Sequence, residues 1–329
     1  MLKSIFIFLL LFLTSWSAIH AESYTKTAQT GFQFLSVISD ARGTALAGAM
    51  TTDASGANSL NYNPAGMALQ TYFLDFSTSY NPWIADINYN QFNLSIAPQN
   101  ARFGVIGLSI QVVDYGEIEG TMLWANDIGY IDTDIIEPAS FVAGLGYAKA
   151  LSSQFSIGAQ AKYVGQNFGS MLVQFEDSLG IKEYAASTIA IDFGTLFDVG
   201  FKGIKFGMSI RNFSQSVIWE NKLTELPLTF TMGLQADLFD FLGIDNQTHN
   251  LIVNIDAVHP RAYVEHINLG MEYSLAGNLF IRYGLMQGKD LFGHNIGFGL
   301  KMKTLDFDYS YSPVEKFNDI QKFTIHFNI

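Results

Sequence analysis

The chain has 329 residues, of which 49% are hydrophobic, 14% aromatic and only 15% charged, with a formal net charge of −12. This balance excludes nucleic-acid binding, which needs clustered Lys and Arg against phosphates, and the apolar content excludes an acidic disordered tail. Cysteine is absent, so no disulfide framework, thiolate metal site or thiol nucleophile is available.

Residues 1–21 carry a basic residue at Lys3, an apolar core over Ile5–Leu13 and a small residue at Ala21. This is the pattern of a secretory signal peptide cleaved after Ala21. The apolar stretch is about half of the roughly 20 residues that a spanning helix needs.

Residues 22–70 are rich in Ala, Gly, Ser and Thr and hold the short motifs Gly31-Phe32-Gln33-Phe34-Leu35, Asp40-Ala41-Arg42-Gly43, Ala47-Gly48-Ala49-Met50 and Asn63-Pro64-Ala65-Gly66. Small residues permit close backbone packing, which suits a plug threaded into a narrow space. Within this segment Asn-Pro and Gly favour turn geometry, so Asn63, Pro64 and Gly66 are expected to build a turn that Asn63 caps.

Residues 71–329 contain no long apolar run; apolar and polar residues alternate to the end, with Phe323, Ile325, Phe327 and Ile329 against Lys322, Thr324, His326 and Asn328. Only a strand puts alternate residues on opposite faces. Alternation and turn signals predict fourteen strands, at about 72–81, 86–97, 101–113, 139–150, 154–166, 186–199, 204–214, 227–237, 249–258, 265–275, 278–287, 293–302, 304–312 and 321–329. The connections support an even count. Pro98–Asn100, Leu151–Ser153, Gly200–Gly203, Ala276–Gly277 and Lys303 are short, and they alternate with the long segments Asp114–Pro138, Asn167–Ala185, Gln215–Leu226 and Pro313–Ile320. Leu238–Thr248 is the exception on the short side. Short turns at one rim and long loops at the other are the habit of bacterial outer-membrane barrels.

One face of these strands carries residues such as Ile189, Phe193, Phe206, Ile255 and Ile267; the other carries Lys162, Asp192, Asp198, Lys205, Arg211, Asp256, Glu272, Arg282, Asp306 and Asp308. A Lys or Arg facing lipid at mid-depth costs about 2–4 kcal/mol, so the charged face must line the lumen, where acids and bases pair. A soluble β-sandwich or jelly roll would also alternate, but with its polar face outward. The signal peptide, the aromatic content and the apolar final strand favour the barrel, which places the protein in the outer membrane of a Gram-negative-type bacterium.

Several lumenal and plug residues are candidate site residues. Arg42 needs a carboxylate, which Glu272, Asp256 or Asp192 would supply, and this pairing is expected to lock the plug. Arg282 joins the same charged lumen, and Phe32, Phe34 and Leu35 are candidate contacts for an apolar ligand. Between Phe103 and Ala148 stand seven carboxylates (Asp114, Glu117, Glu119, Asp127, Asp132, Asp134 and Glu137) without Lys or Arg; they lack EF-hand spacing and read as a solvated loop. HExxH, GxSxG, P-loop and dinucleotide-binding motifs are missing and the histidines are scattered, so no catalytic residue, cofactor or metal is expected.

The motifs of residues 31–66, together with Tyr115-Gly116-Glu117-Ile118-Glu119-Gly120, Gly144-Leu145-Gly146-Tyr147-Ala148, Asp256-Ala257-Val258-His259-Pro260, Asn268-Leu269-Gly270-Met271-Glu272-Tyr273 and Arg282-Tyr283-Gly284, resemble the PorV/PorQ family of FadL-like outer-membrane barrels. The resemblance covers nearly the whole chain after residue 21. It implies a fourteen-stranded barrel with the amino-terminal segment folded inside as a hatch. It also implies a docking or accessory role in type IX-like protein secretion or, alternatively, FadL-like uptake of hydrophobic small molecules. A third reading is a purely structural, porin-like wall protein. The partners expected are outer-membrane lipids and lipopolysaccharide, with secretion-system proteins or hydrophobic small molecules.

Overall fold

Strands that alternate apolar and polar residues can stand in lipid only as a closed sheet, because an open edge would leave backbone donors and acceptors unpaired in hydrocarbon. The computed structural model, which describes residues 30–174, 178–219, 222–244, 248–287, 293–314 and 317–329, is such a closed barrel. The expected signal peptide, residues 1–21, lies outside the described residues.

Fourteen antiparallel strands make the wall. They are β1 (Leu74–Pro82), β2 (Asn88–Ile96), β3 (Val105–Asp114), β6 (Ala139–Ala150), β7 (Phe155–Gln174), β8 (Leu179–Asp198), β9 (Lys205–Ser214), β12 (Thr229–Asp237), β13 (His249–Pro260), β14 (His266–Leu275), β15 (Leu279–Met286), β16 (His294–Met302), β17 (Leu305–Ser312) and β18 (Ile320–Asn328). Each strand pairs with its neighbour in the wall, and β18 closes on β1 with Phe323 opposite Tyr80 and Asn328 opposite Asp75. The fourteen predicted strands are therefore present.

The long connections are more ordered than the alternation predicts. Residues 114–138 contain a hairpin of β4 (Ile118–Leu123) and β5 (Tyr130–Ile136), and residues 215–226 contain a small one of β10 (Val217–Trp219) and β11 (Lys222–Thr224). Within the segment 167–185, expected as a loop, residues 167–174 and 179–185 instead extend β7 and β8, whose ladder resumes at Ser170–Glu183 after an irregularity. Beyond the lipid band both faces of a ladder meet water, so period-two patterning fades while backbone pairing persists. These hairpins share one end of the barrel, the loop rim. At the other, the terminal rim, β1 begins and β18 ends.

Burial fixes the sense of the wall. Lys162, Asp192, Asp256, Glu272, Arg282 and Asp308 are buried, whereas Ile189, Phe193, Phe206 and Ile255 are exposed. Polar inside and apolar outside is the inverse of a soluble sandwich and fits a wall facing lipid.

Residues 30–70 pack against the inner face of this wall as a succession of short turns: Gln33–Ser36, Ala41–Ala45, Gly56–Asn61 and Pro64–Leu69. Two of the turns are capped by side chains, as Asp40 accepts from the Gly43 amide at 2.6 Å and Asn63 from the Ala65 amide at 3.1 Å. Ala41, Ala45, Leu46, Ala49, Ala57 and Ala65 are wholly buried. The wall makes room for them with inward glycines: a Cβ at Gly158 would run into Pro64 and Ala65, one at Gly194 into Asn63 and Pro64, and one at Gly284 into Ala45–Ala47.

Candidate functional site

A charged network joins the amino-terminal segment to the wall. Arg42, on the turn capped by Asp40, donates to both carboxylate oxygens of Glu272 on β14, Nε to Oε2 at 3.0 Å and Nη2 to Oε1 at 3.1 Å. The same guanidinium reaches Asp53 Oδ2 at 2.5 Å. Arg282, opposite Glu272 in the β14–β15 ladder, donates Nε to Glu272 Oε2 at 2.6 Å and Nη1 to Asp308 Oδ1 at 2.5 Å. Glu272 thus lies between two guanidinium groups, the geometry in which a buried carboxylate is fully compensated.

The other two carboxylates named as partners for Arg42 are engaged elsewhere. Asp256 Oδ2 accepts from the amides of Met50 and Thr51, at 3.1 and 3.0 Å, and from Thr51 Oγ1 at 2.7 Å. Asp192 pairs with Lys162 at 2.7 Å and accepts from the Asn212 amide at 2.7 Å, where the β8–β9 ladder slips and Asn212 takes a left-handed φ of 62°. Lys162, Asp192 and Asn212 together tie this bulge.

Asn63 donates from Nδ2 to Thr51 O at 2.8 Å and to Thr195 O of β8 at 3.0 Å, fixing the start of the Pro64–Leu69 turn to the wall. Gly66 lies so close to Ala54 O and Ser59 that no side chain fits there. Asp40 also accepts from the Tyr62 hydroxyl; burial pushes its carboxyl above the usual range, and that hydrogen bond opposes the shift. Phe32 and Phe34 are buried among Tyr89, Val113, Val142 and Val164, with Leu35 packed at their edge.

Three cavities are arranged along the lumen. At the loop rim a chamber of about 420 Å³ is lined by Phe34, Val37, Ile38, Trp83, Tyr89 and Met286, with Lys322 among them. A middle cavity of about 130 Å³ is lined by polar groups including Gln91, Gln160, Lys162, Asp192, Arg211 and Asn268. Arg211 Nε, Gln91 Oε1, Gln160 Oε1 and Asn268 Oδ1 are buried there without protein partners, which makes this a place for water. At the terminal rim a third cavity of about 280 Å³ is bordered by Arg42, Asp53, Asp75, Glu272 and His326.

Outside the lumen, the β4–β5 hairpin exposes Leu123 at 86% and Ile128 at 72%, with Trp124, Tyr130 and Ile135 also exposed. All seven carboxylates of this stretch are exposed beside them. Among the described residues no cluster of three or more His, Asp or Glu side chains is arranged to hold a metal ion.

The family model described as Type IX secretion system protein PorV matches residues 20–248. The chain belongs to the PorV family. No curated protein matches it. Among solved structures, the CymD monoaromatic hydrocarbon channel matches with a TM-score of 0.57 at 10% identity, over 88% of this chain and 97% of that one. The Pseudomonas putida toluene transporter TodX matches with a TM-score of 0.57 at 12% identity, over 92% of this chain and 98% of that one. At such identities the likeness is one of fold, and family and fold together indicate an outer-membrane barrel.

In this PorV-family barrel several polar contacts were not legible beforehand. Asp53 is a second partner of Arg42, and only the path of the turn between them brings it there. Asp75 joins the Ala57 amide at 2.9 Å and His326 Nε2 at 2.8 Å across the seam between β1 and β18. Alternation places Lys322 and His326 on the inner face without saying what they meet.

Proposed function

We propose that this protein is a non-enzymatic docking component of a type IX-like secretion apparatus in the outer membrane. Residues 22–70 act as a plug, and the β4–β5 hairpin is the contact for another protein of the apparatus. The hairpin is the observation that carries the reading. Large apolar side chains held away from the lipid band and rimmed by carboxylates cost solvation unless another surface covers them. Family membership supplies the kind of partner. Residues 1–21 serve as a cleaved export signal, and the apolar outer wall is bathed by membrane lipid and lipopolysaccharide.

Replacing residues 118–136 by a short Gly-Ser turn should leave a heat-modifiable barrel that no longer co-purifies with large secretion partners, and several secreted proteins should be lost from the medium. Unchanged co-purification would sink the docking reading. A second reading, passage of hydrophobic small molecules, draws support from the apolar chamber at the loop rim. The middle cavity, with its unpartnered buried polar groups, weighs against it, because an apolar solute would have to cross that region unless the plug moved.

A further inference from the structure

Of the connections at the terminal rim, Leu238–Thr248 is the longest, and it opens with a short helix, Leu238–Leu242. Every residue of that helix except Asp240 is apolar. Asp237 caps it by accepting from the amides of Phe239 and Asp240, both at 3.1 Å, and Gly243 ends it at a left-handed φ of 70°. A helix at a rim either covers the lumen or leans out over the lipid side, and its contacts decide which. Phe239 meets the Tyr273 ring edge to face at 6.5 Å. Tyr273 follows the inward Glu272 on β14, so alternation turns it to the outer face, and the helix leans outward across β13. On its other side the turn between β8 and β9 holds it. Lys202 donates Nζ to the Phe241 carbonyl at 2.9 Å and lies over the rings of Phe201 and Phe241, 5.4 and 4.7 Å from their centres.

This arrangement leaves four large apolar side chains uncovered: Phe201 is 56% exposed, Phe241 51%, Leu242 54% and Ile244 47%. Their surface continues the lipid-facing wall, where Phe197 and Phe206 stand exposed opposite each other at the ends of β8 and β9. The polar tips beside them are an ammonium, on Lys202, and a phenol, on Tyr273, which is hydrogen-bonded to His249 Nδ1. Side chains with an apolar body and a polar tip belong at the boundary between acyl chains and water. An apolar helix face at that height, continuous with a wall already in lipid, is covered by the membrane surface itself.

We propose that the Leu238–Leu242 helix, together with Phe201 and Ile244, is an interfacial anchor lying in the phospholipid surface of the leaflet at the terminal rim. Phe241 and Leu242 enter the acyl boundary, and Asp240, about 200° around the helix from Leu242, stays toward water. The anchor stands independently of the docking role.

The chain has no cysteine, so a single introduced cysteine carries a nitroxide without background. The test is EPR power saturation on the full-length barrel in phosphatidylethanolamine–phosphatidylglycerol liposomes that hold no other protein, comparing collisions with oxygen, which enters the acyl region, and with a nickel chelate, which stays in water. The oxygen-to-nickel ratio at Leu242→Cys should be at least about fivefold that at Asp240→Cys and approach that at Phe193→Cys on the lipid-facing wall. A ratio at Leu242→Cys no higher than at Asp240→Cys would place the patch in water, as a surface for a protein partner, and overturn the proposal. Where Leu242→Cys fails to assemble, Ile244→Cys on the same surface decides against the same two reference positions.

Discussion

Glu272 holds the charged network together, and removing different members should have unequal costs. In Arg42→Ala, Glu272 keeps Arg282, while Asp53 keeps Gln235 Nε2 at 3.2 Å and Asn254 Nδ2 at 3.3 Å. The loss should be about 1–3 kcal/mol, that of a broken charge-assisted hydrogen bond with the remaining groups still partnered. Glu272→Ala strips a carboxylate from two guanidinium groups at once and should cost more, about 3–5 kcal/mol. Denaturant unfolding from liposomes measures both. If Arg42→Ala left both the unfolding midpoint and small-solute leakage unchanged, the network would not be holding the amino-terminal segment. Asp40 offers a pH test. Its folded carboxyl titrates above the unfolded value, so its contribution to stability is full below the ordinary carboxylate pKa and is lost as pH rises through the raised value. Asp40→Asn removes this titration, so the stability of the native barrel relative to the variant should fall as pH rises from the ordinary carboxylate range through the raised value.

At the scale of elements, the inward glycines record where the turns of residues 30–70 touch the wall. Gly194→Leu would drive a side chain into Asn63 and Pro64 and should destabilise the barrel by about 1–3 kcal/mol, with easier proteolysis of the amino-terminal segment. Ile189→Val, on the exposed face of the same strand, should stay within about 0.5 kcal/mol of the native protein. The β8–β9 bulge has a comparable local logic, because one extra residue on β9 turns Asn212 toward Asp192 and aims Arg211 at the Asn61 carbonyl, 2.7 Å away.

For the whole molecule, the proposed plug implies a nearly closed barrel. In planar bilayers the native protein should conduct little, and a variant lacking residues 22–70 should show large, steady openings; equal conductance of the two would remove the plug from the proposal. A wall of fourteen strands is wide enough for an aqueous passage once its filling is gone, since barrel diameter grows with strand number.

The wall was legible in the sequence because its cause is local. Every second residue must suit lipid and its neighbour must suit the lumen, so the period of two shows wherever a strand crosses the hydrophobic band. The β4–β5 hairpin and the outer parts of β7 and β8 were not legible, since strands in water on both faces carry no such pattern. Site residues divide the same way. That Asp192, Asp256, Glu272 and Arg282 turn inward follows from alternation, but which cation meets which carboxylate follows from strand register and the path of the inner turns. Sequence by itself determined the strands, their number and their two faces. Only the tertiary structure decided that Arg42 meets Glu272, that Asp256 holds Met50 and Thr51, and that Lys322 donates to the Ile38 carbonyl, because these contacts span as many as 284 residues and exist only once the inner turns have packed against the closed wall.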